Sequence, residues 1–162
     1  MCAAHEARFL KPALGTLRRM LAVALLAAVA SGTAAAAEFR SVAENAAILY
    51  DAPSAKAKKL FILGRGYPLE LIVVTAGWVK VRDASGELYW VEAKSLSERR
   101  TVMVKVRRAE IRRAAADDAP LATQAEQNAL LELNEITAGG WARVTYAEGQ
   151  SGYVKLSQLW GV

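Results

Sequence analysis

The side chains best suited to chemistry in this sequence are aromatic rings set beside cations. Trp78 lies on a short run with Lys80 and Arg82, and the pair Tyr89-Trp90 follows one turn later. Sixty-three residues after Trp78, Trp141 leads a similar run with Arg143. A tryptophan face stacks on a sugar ring or a proline, and a neighbouring lysine or arginine meets a carboxylate or phosphate. The pattern therefore points to non-covalent recognition of a flat or anionic ligand.

The excluded chemistry is as informative. The chain has one Cys (Cys2) and one His (His5), and both precede residue 37. Beyond it there is no means of building a disulfide, a Cys nucleophile, a Ser-His pair or a zinc site on Cys and His. Seven serines remain there, none at a spacing from a lysine that would activate it. Asp117-Asp118, after three alanines, reads as a loop pair and not as a catalytic or calcium-binding one. The expectation is a protein that is not an enzyme and uses no metal or cofactor. One enzyme class stays open, a cell-wall hydrolase working with carboxylates alone, which needs a Glu/Asp pair flanking a deep cleft.

The N-terminus has the layout of a secretory signal. Arg18-Arg19 precedes the apolar run Met20–Ala30, and Ser31-Gly32-Thr33 leads into Ala34–Ala37. The apolar run has 11 residues, whereas a bilayer core takes roughly 20. Residues 1–37 are therefore expected to be a signal peptide, cleaved after Ala37, that touches the membrane only in transit. The product would be periplasmic or secreted. Residues 1–37 carry four of the 21 Lys and Arg and one of the 16 Asp and Glu, which leaves 17 basic and 15 acidic side chains. The basic balance belongs largely to the leader and is no argument for nucleic acid.

Behind the leader the chain repeats itself. Gly77, Trp78, Val81, Gly86 and Val91 recur as Gly140, Trp141, Val144, Gly149 and Val154, Leu69-Glu70-Leu71 recurs as Leu131-Glu132-Leu133, and Ile48 aligns with Ile111. Two units follow, 38–100 and 101–162. Strands are expected at 46–50, 60–63, 69–74, 78–82 and 87–91, then at 102–106, 110–113, 129–133, 141–146 and 151–154, with turn residues between them. The stretch from Gln124 to Leu133 comes nearest to a helix, but its alignment with the Leu69 strand favours a strand. Five short strands in about 60 residues suit a small closed barrel, since closure removes exposed sheet edges.

Strand alternation divides the side chains. Val79 and Val81 share one face, and Trp78, Lys80 and Arg82 the other. Val81 and Val144 are expected to be buried equivalents, one per barrel. Each tryptophan then either binds a ligand or folds over the barrel mouth and plugs it. Trp78 leans to binding because of its cations, and Trp141, among Gly139, Gly140 and Ala142, leans to packing. Either Tyr89 or Trp90 should join Trp78 and Tyr50 in one shallow groove. Trp160 should pack between the two units. The basic run from Arg99 to Arg113 reads as a solvated junction strand.

Gly140-Trp141-Ala142-Arg143-Val144 and Gly152-Tyr153-Val154-Lys155-Leu156, with the turn between them and a final Leu159, resemble the bacterial SH3-like domain. The first unit departs from the pattern where Tyr89 stands in place of the glycine seen at Gly152. Ile48-Leu49-Tyr50-Asp51-Ala52-Pro53 is also similar to the Ala-Leu-Tyr-Asp-Tyr opening of eukaryotic SH3 domains, whose aromatics cradle a polyproline helix. The resemblance implies an all-β chain of two small SH3-like barrels in tandem after the signal segment. It implies a non-catalytic envelope module recognising cell-wall peptidoglycan, through glycan or peptide, or else an adaptor for a peptide segment of an envelope protein. Members often stand beside a cysteine peptidase, whose Cys and His the mature chain lacks. The candidate ligand-binding set is Tyr50, Trp78, Lys80, Tyr89, Trp90 and Trp141.

Overall fold

The computed structural model describes residues 37–43 and 45–162. The expected signal segment, residues 1–37, lies outside them but for Ala37. The first sheet is built from β1 (Glu38–Val42), β2 (Ala47–Tyr50), β3 (Lys59–Leu63), β4 (Pro68–Thr75), β5 (Trp78–Arg82), β6 (Leu88–Glu92) and β7 (Leu96–Ser97). The second is built from β8 (Thr101–Val104), β9 (Arg108–Arg112), β10 (Leu121–Glu126), β11 (Leu130–Thr137), β12 (Trp141–Thr145), β13 (Ser151–Lys155) and β14 (Leu159–Trp160). The spatial orders are β3-β2-β6-β5-β4-β1-β7 and β10-β9-β13-β12-β11-β8-β14, with antiparallel neighbours throughout. The second order is the first shifted by seven strands. The chain is thus all-β, two SH3-like barrels in tandem.

Each sheet has seven strands where the sequence pattern suggests five. The additional ones carry little periodicity. β7 and β14 are two residues long and follow single 3-10 turns. β10 reads Leu-Ala-Thr-Gln-Ala-Glu, an edge strand that keeps only Ala125 buried. The stretch 124–133 is two strands divided by a turn at Asn128, whose φ of 68° is left-handed.

Valine-rich alternation places one face of each strand inward, and each barrel closes on its own core. Val81 and Val144 both have no solvent exposure and occupy matching places, as do Val91 and Val154. Burying such a side chain contributes about 1.5–3 kcal/mol. One alignment needs correction. Leu49, and not Ile48, is the buried counterpart of Ile111. Tyr50 pairs with Trp90 and Arg112 with Tyr153, so this strand is offset by 62 residues while the partner strand is offset by 63. The loss of one residue between them inverts which side chain of β2 meets the core.

The barrels dock through the segment that joins them. Ser41, 3% exposed, accepts a hydrogen bond from the Thr101 backbone N–H at 2.9 Å, and the two side-chain hydroxyls are hydrogen-bonded at 2.6 Å. Phe39 of the first barrel meets Trp160 of the second edge-to-face at 5.3 Å, with the Arg100 guanidinium 5.8 Å over the same ring. Trp160 therefore lies between the units. Arg100 donates to the Gly161 carbonyl, and Arg99 makes a two-pronged bridge to Glu132. Three cations of the basic run are thus engaged within the molecule, counting Arg112 bridged to Glu110.

Candidate ligand-binding groove

The strand register of the first barrel sets five side chains in a row across its outer face. Lys59 on β3 pairs with Tyr50 on β2, Tyr50 with Trp90 on β6, Trp90 with Lys80 on β5, and Lys80 with Val73 on β4. Paired residues point to the same side of a sheet. Trp78, two residues before Lys80, completes the surface. Its ring meets Tyr50 edge-to-face with centroids 5.2 Å apart and planes at 87°. Lys80 Nζ leans in to 6.0 Å from the Trp90 centroid. The floor is aromatic and the flanks are cationic.

The same row in the second barrel reads Leu121, Arg112, Tyr153, Arg143 and Glu135. Here the aromatic surface is taken up from within. Arg112 occupies the place of Tyr50, bridges to Glu110 and donates 2.7 Å to the Ala119 carbonyl, which draws the loop after β9 inward. Lys155 Nζ lies 5.5 Å over the Trp141 ring and is itself paired with Asp117 of that loop. Trp141 is left 6% exposed. The corresponding loop of the first barrel, from Asp51 to Lys58, is tied to itself, with Asp51 Oδ1 accepting the Lys58 N–H. Among the described residues no side-chain hydrogen bond or ion pair fastens that loop over Trp78.

The bacterial SH3 domain family matches the sequence twice, over residues 43–98 and 105–161, well over half of the chain. The chain belongs to the bacterial SH3 domain family. No curated protein matches it. Solved structures similar to the chain include NlpC2 of Trichomonas vaginalis, at 18% identity and a TM-score of 0.37 over 77% of this chain and 48% of that one. NlpC1 of the same organism aligns at 19% identity and 0.37 over 80% and 48%. An NlpC/P60 family protein of Bacillus cereus aligns at 14% identity and 0.36 over 76% and 56%. The chain spans about half the length of these structures.

In this pair of bacterial SH3 domains the six residues singled out from sequence take different places. Trp78, Trp90 and Lys80 come together in the groove. Tyr50 is 5% exposed, so it holds Trp78 upright and presents little of its own surface. Tyr89 does not join them. It pairs with Val81, packs against the core, and meets Phe61 at 5.5 Å on the opposite side of the sheet. Desolvation, then the carboxylates of Asp83 and Glu87, hold its hydroxyl above the usual tyrosine range. Trp141, 6% exposed, is covered by Lys155 and Asp117 of its own barrel.

Two members of the row, Lys59 and Val73, escape a reading of the sequence. Lys59 lies one residue before the strand expected at 60–63, and only the register with Tyr50 brings it to the groove. Glu92, beside Trp78, is engaged at 2.5 Å by Lys94, and Glu70 at 2.7 Å by Arg82. Those pairings engage two carboxylates of the sheet that would otherwise compete for Lys59 and Lys80. Asp117 is a loop residue paired with Lys155, consistent with a structural place in the turn. Among the described residues no cluster of His, Cys, Asp and Glu is arranged to hold a metal ion.

Proposed function

We propose that the chain is a non-catalytic binding module of the bacterial envelope, in which the first barrel binds cell-wall glycan or peptide and the second serves as scaffold. The observation that carries this reading is the contrast between two copies of one surface. In the first barrel the row is aromatic and flanked by lysines, and Trp78 beside it is only half-buried; in the second the row carries Arg112, Arg143 and Glu135, and Trp141 is buried beneath Lys155 and Asp117. If the surface were architecture alone, both copies would be expected to fill it. Family membership supports the reading, since bacterial SH3 domains are generally binding modules for cell-wall components. The signal-like leader supports export, with the mature protein beginning at Glu38. Sedimentation with purified sacculi tests the proposal. Wild-type protein should pellet with the sacculi and the Trp90→Ala variant should stay in solution while melting normally. Equal pelleting of both would refute it.

A second reading, an adaptor for a protein partner, is favoured by the edge strand β3. Phe61 and Ile62 are 55% and 72% exposed there, where the second barrel carries Thr123 and Gln124. Under that reading Phe61→Ser, and not Trp90→Ala, abolishes retention in the envelope fraction.

A further inference from the structure

We infer that the groove ligand is an extended acidic peptide, with two carboxylates about four residues apart, lying across the strands of the first barrel. The inference rests on the groove reading above and narrows it from glycan or peptide to one chemistry. Three features of the surface carry it.

The first is the placement of free cations. Lys59 and Lys80 stand at either side of the Tyr50–Trp90 pair, and Lys56 and Lys58 lie in the adjoining loop. Among the described residues none of these four lysines has an ion-pair partner. The carboxylates nearest in the sheet are already held by Lys94 and Arg82. Asp51, which accepts the Lys58 N–H, is the one acidic residue of that loop, so four lysines against one carboxylate without an ion pair leave the surface cationic and complementary to anions.

The second is spacing. From β3 to β5 is three strand steps, so the backbones that carry Lys59 and Lys80 are about 14 Å apart. An extended peptide with a polyproline-like rise covers about 12 Å in four residues. The flexible lysine stems absorb the difference. Between the two cations the ligand would pass over Trp90 and beside Trp78, where a proline or another apolar residue stacks.

The third is what the surface lacks. A glycan is held by stacking together with side chains that both accept and donate hydrogen bonds to hydroxyls, chiefly amides and free carboxylates. Residues 46–100 contain no Asn and no Gln. With Glu70 and Glu92 engaged, the row itself offers a sugar a stacking face and cations, and the adjoining loop adds the single carboxylate of Asp51.

The test uses the purified protein and the indole N–H signals of its four tryptophans in NMR spectra. The probe is the synthetic peptide acetyl-Glu-Ala-Pro-Ala-Glu-amide, compared with the same peptide carrying Gln at both ends and with a chitin-derived tetrasaccharide. The acidic peptide should shift the Trp78 and Trp90 signals and leave those of Trp141 and Trp160 unmoved. An exposed charge pair is worth roughly 0.2–1 kcal/mol, so Lys59→Gln and Lys80→Gln should each weaken the acidic peptide by about 1.5- to 5-fold. The double variant should bind the Glu and Gln peptides alike, and Lys105→Gln in the second barrel should change nothing. Equal binding of both peptides by wild-type protein, no binding of either, or saturation by the tetrasaccharide alone would overturn the inference. Loss of sacculus binding in Trp90→Ala together with any of those results leaves the groove standing and removes only the acidic peptide. Retention of sacculi by Trp90→Ala removes the groove itself.

Discussion

Gly152 marks the place where the two barrels differ most sharply for their size, and replacing it with alanine should destabilise the second barrel strongly. Gly152 lies on β13 opposite Val144, where the first barrel has Tyr89 opposite Val81. A Cβ at residue 152 would stand 2.5 Å from Ile111 Cγ2, 3.0 Å from the Arg112 carbonyl oxygen and 3.5 Å from Tyr146 Cε1. Carbon atoms in contact settle at about 3.5–4.0 Å, so Ile111 must retreat by roughly 1 Å. Ile111 is fully buried, so its retreat disturbs the core. The carbonyl is backbone and moves only with β9. Overpacking of this kind costs about 1–3 kcal/mol, and a backbone neighbour places Gly152→Ala in the upper half of that range. At about 4–8 °C per kcal/mol for a domain of this size, the melting temperature should fall by roughly 10–20 °C. Differential scanning calorimetry on the purified chain reads the change. The mechanism is separable by a second substitution. Val keeps the offending Cγ2, so Ile111→Val should give no relief. Ile111→Ala removes it, so Gly152→Ala/Ile111→Ala should be more stable than the sum of the single effects predicts by about 1 kcal/mol or more. Strict additivity, or a Gly152→Ala variant that melts like the wild type, would refute the reasoning.

Trp141→Ala should cost about 3–5 kcal/mol, because a ring 6% exposed leaves a cavity beneath Lys155, whereas Trp90→Ala should melt close to wild type; a chemical denaturation series on the two variants decides, and equal losses would show both tryptophans to be structural. The Arg99–Glu132 bridge predicts acid sensitivity at the junction. Its hydrogen bond from Arg99 holds the Glu132 carboxyl below its ordinary value of 4.5, so the bridge stabilises the fold above that pH and the contribution is lost as pH falls through the lower folded value. Glu132→Gln should remove that part of the stability loss below about pH 4.5 and leave the rest of the pH profile unchanged, as followed by thermal melts from pH 3 to pH 7.

How much of this was legible in the sequence depends on the distance over which each feature is decided. Turn residues and alternation act over a few positions, and they determined ten of the fourteen strands, the doubling of the barrel and the burial of Val81 and Val144. The absence of Cys and His beyond residue 37 bounded the chemistry in the same direct way. Alternation also put Trp78 and Lys80 on one face, but it left Tyr89 and Trp90 exchangeable, because adjacent strand residues face opposite ways and the pattern does not say which way is in. Tertiary pairing chose Trp90 by placing it between Tyr50 and Lys80, and brought in Lys59, which precedes the strand expected at 60–63. The closure of the second groove was equally out of reach. It depends on Arg112, Lys155 and Asp117, which are as far as 43 residues apart in the chain and meet over Trp141 only when β9 and β13 lie side by side. A one-residue difference in offset, 62 on β9 and 63 on β13, sets an arginine where the first barrel has a tyrosine. Local periodicity settles which faces exist; the register between strands distant in sequence settles which side chains share one, and that register is decided by the packed core.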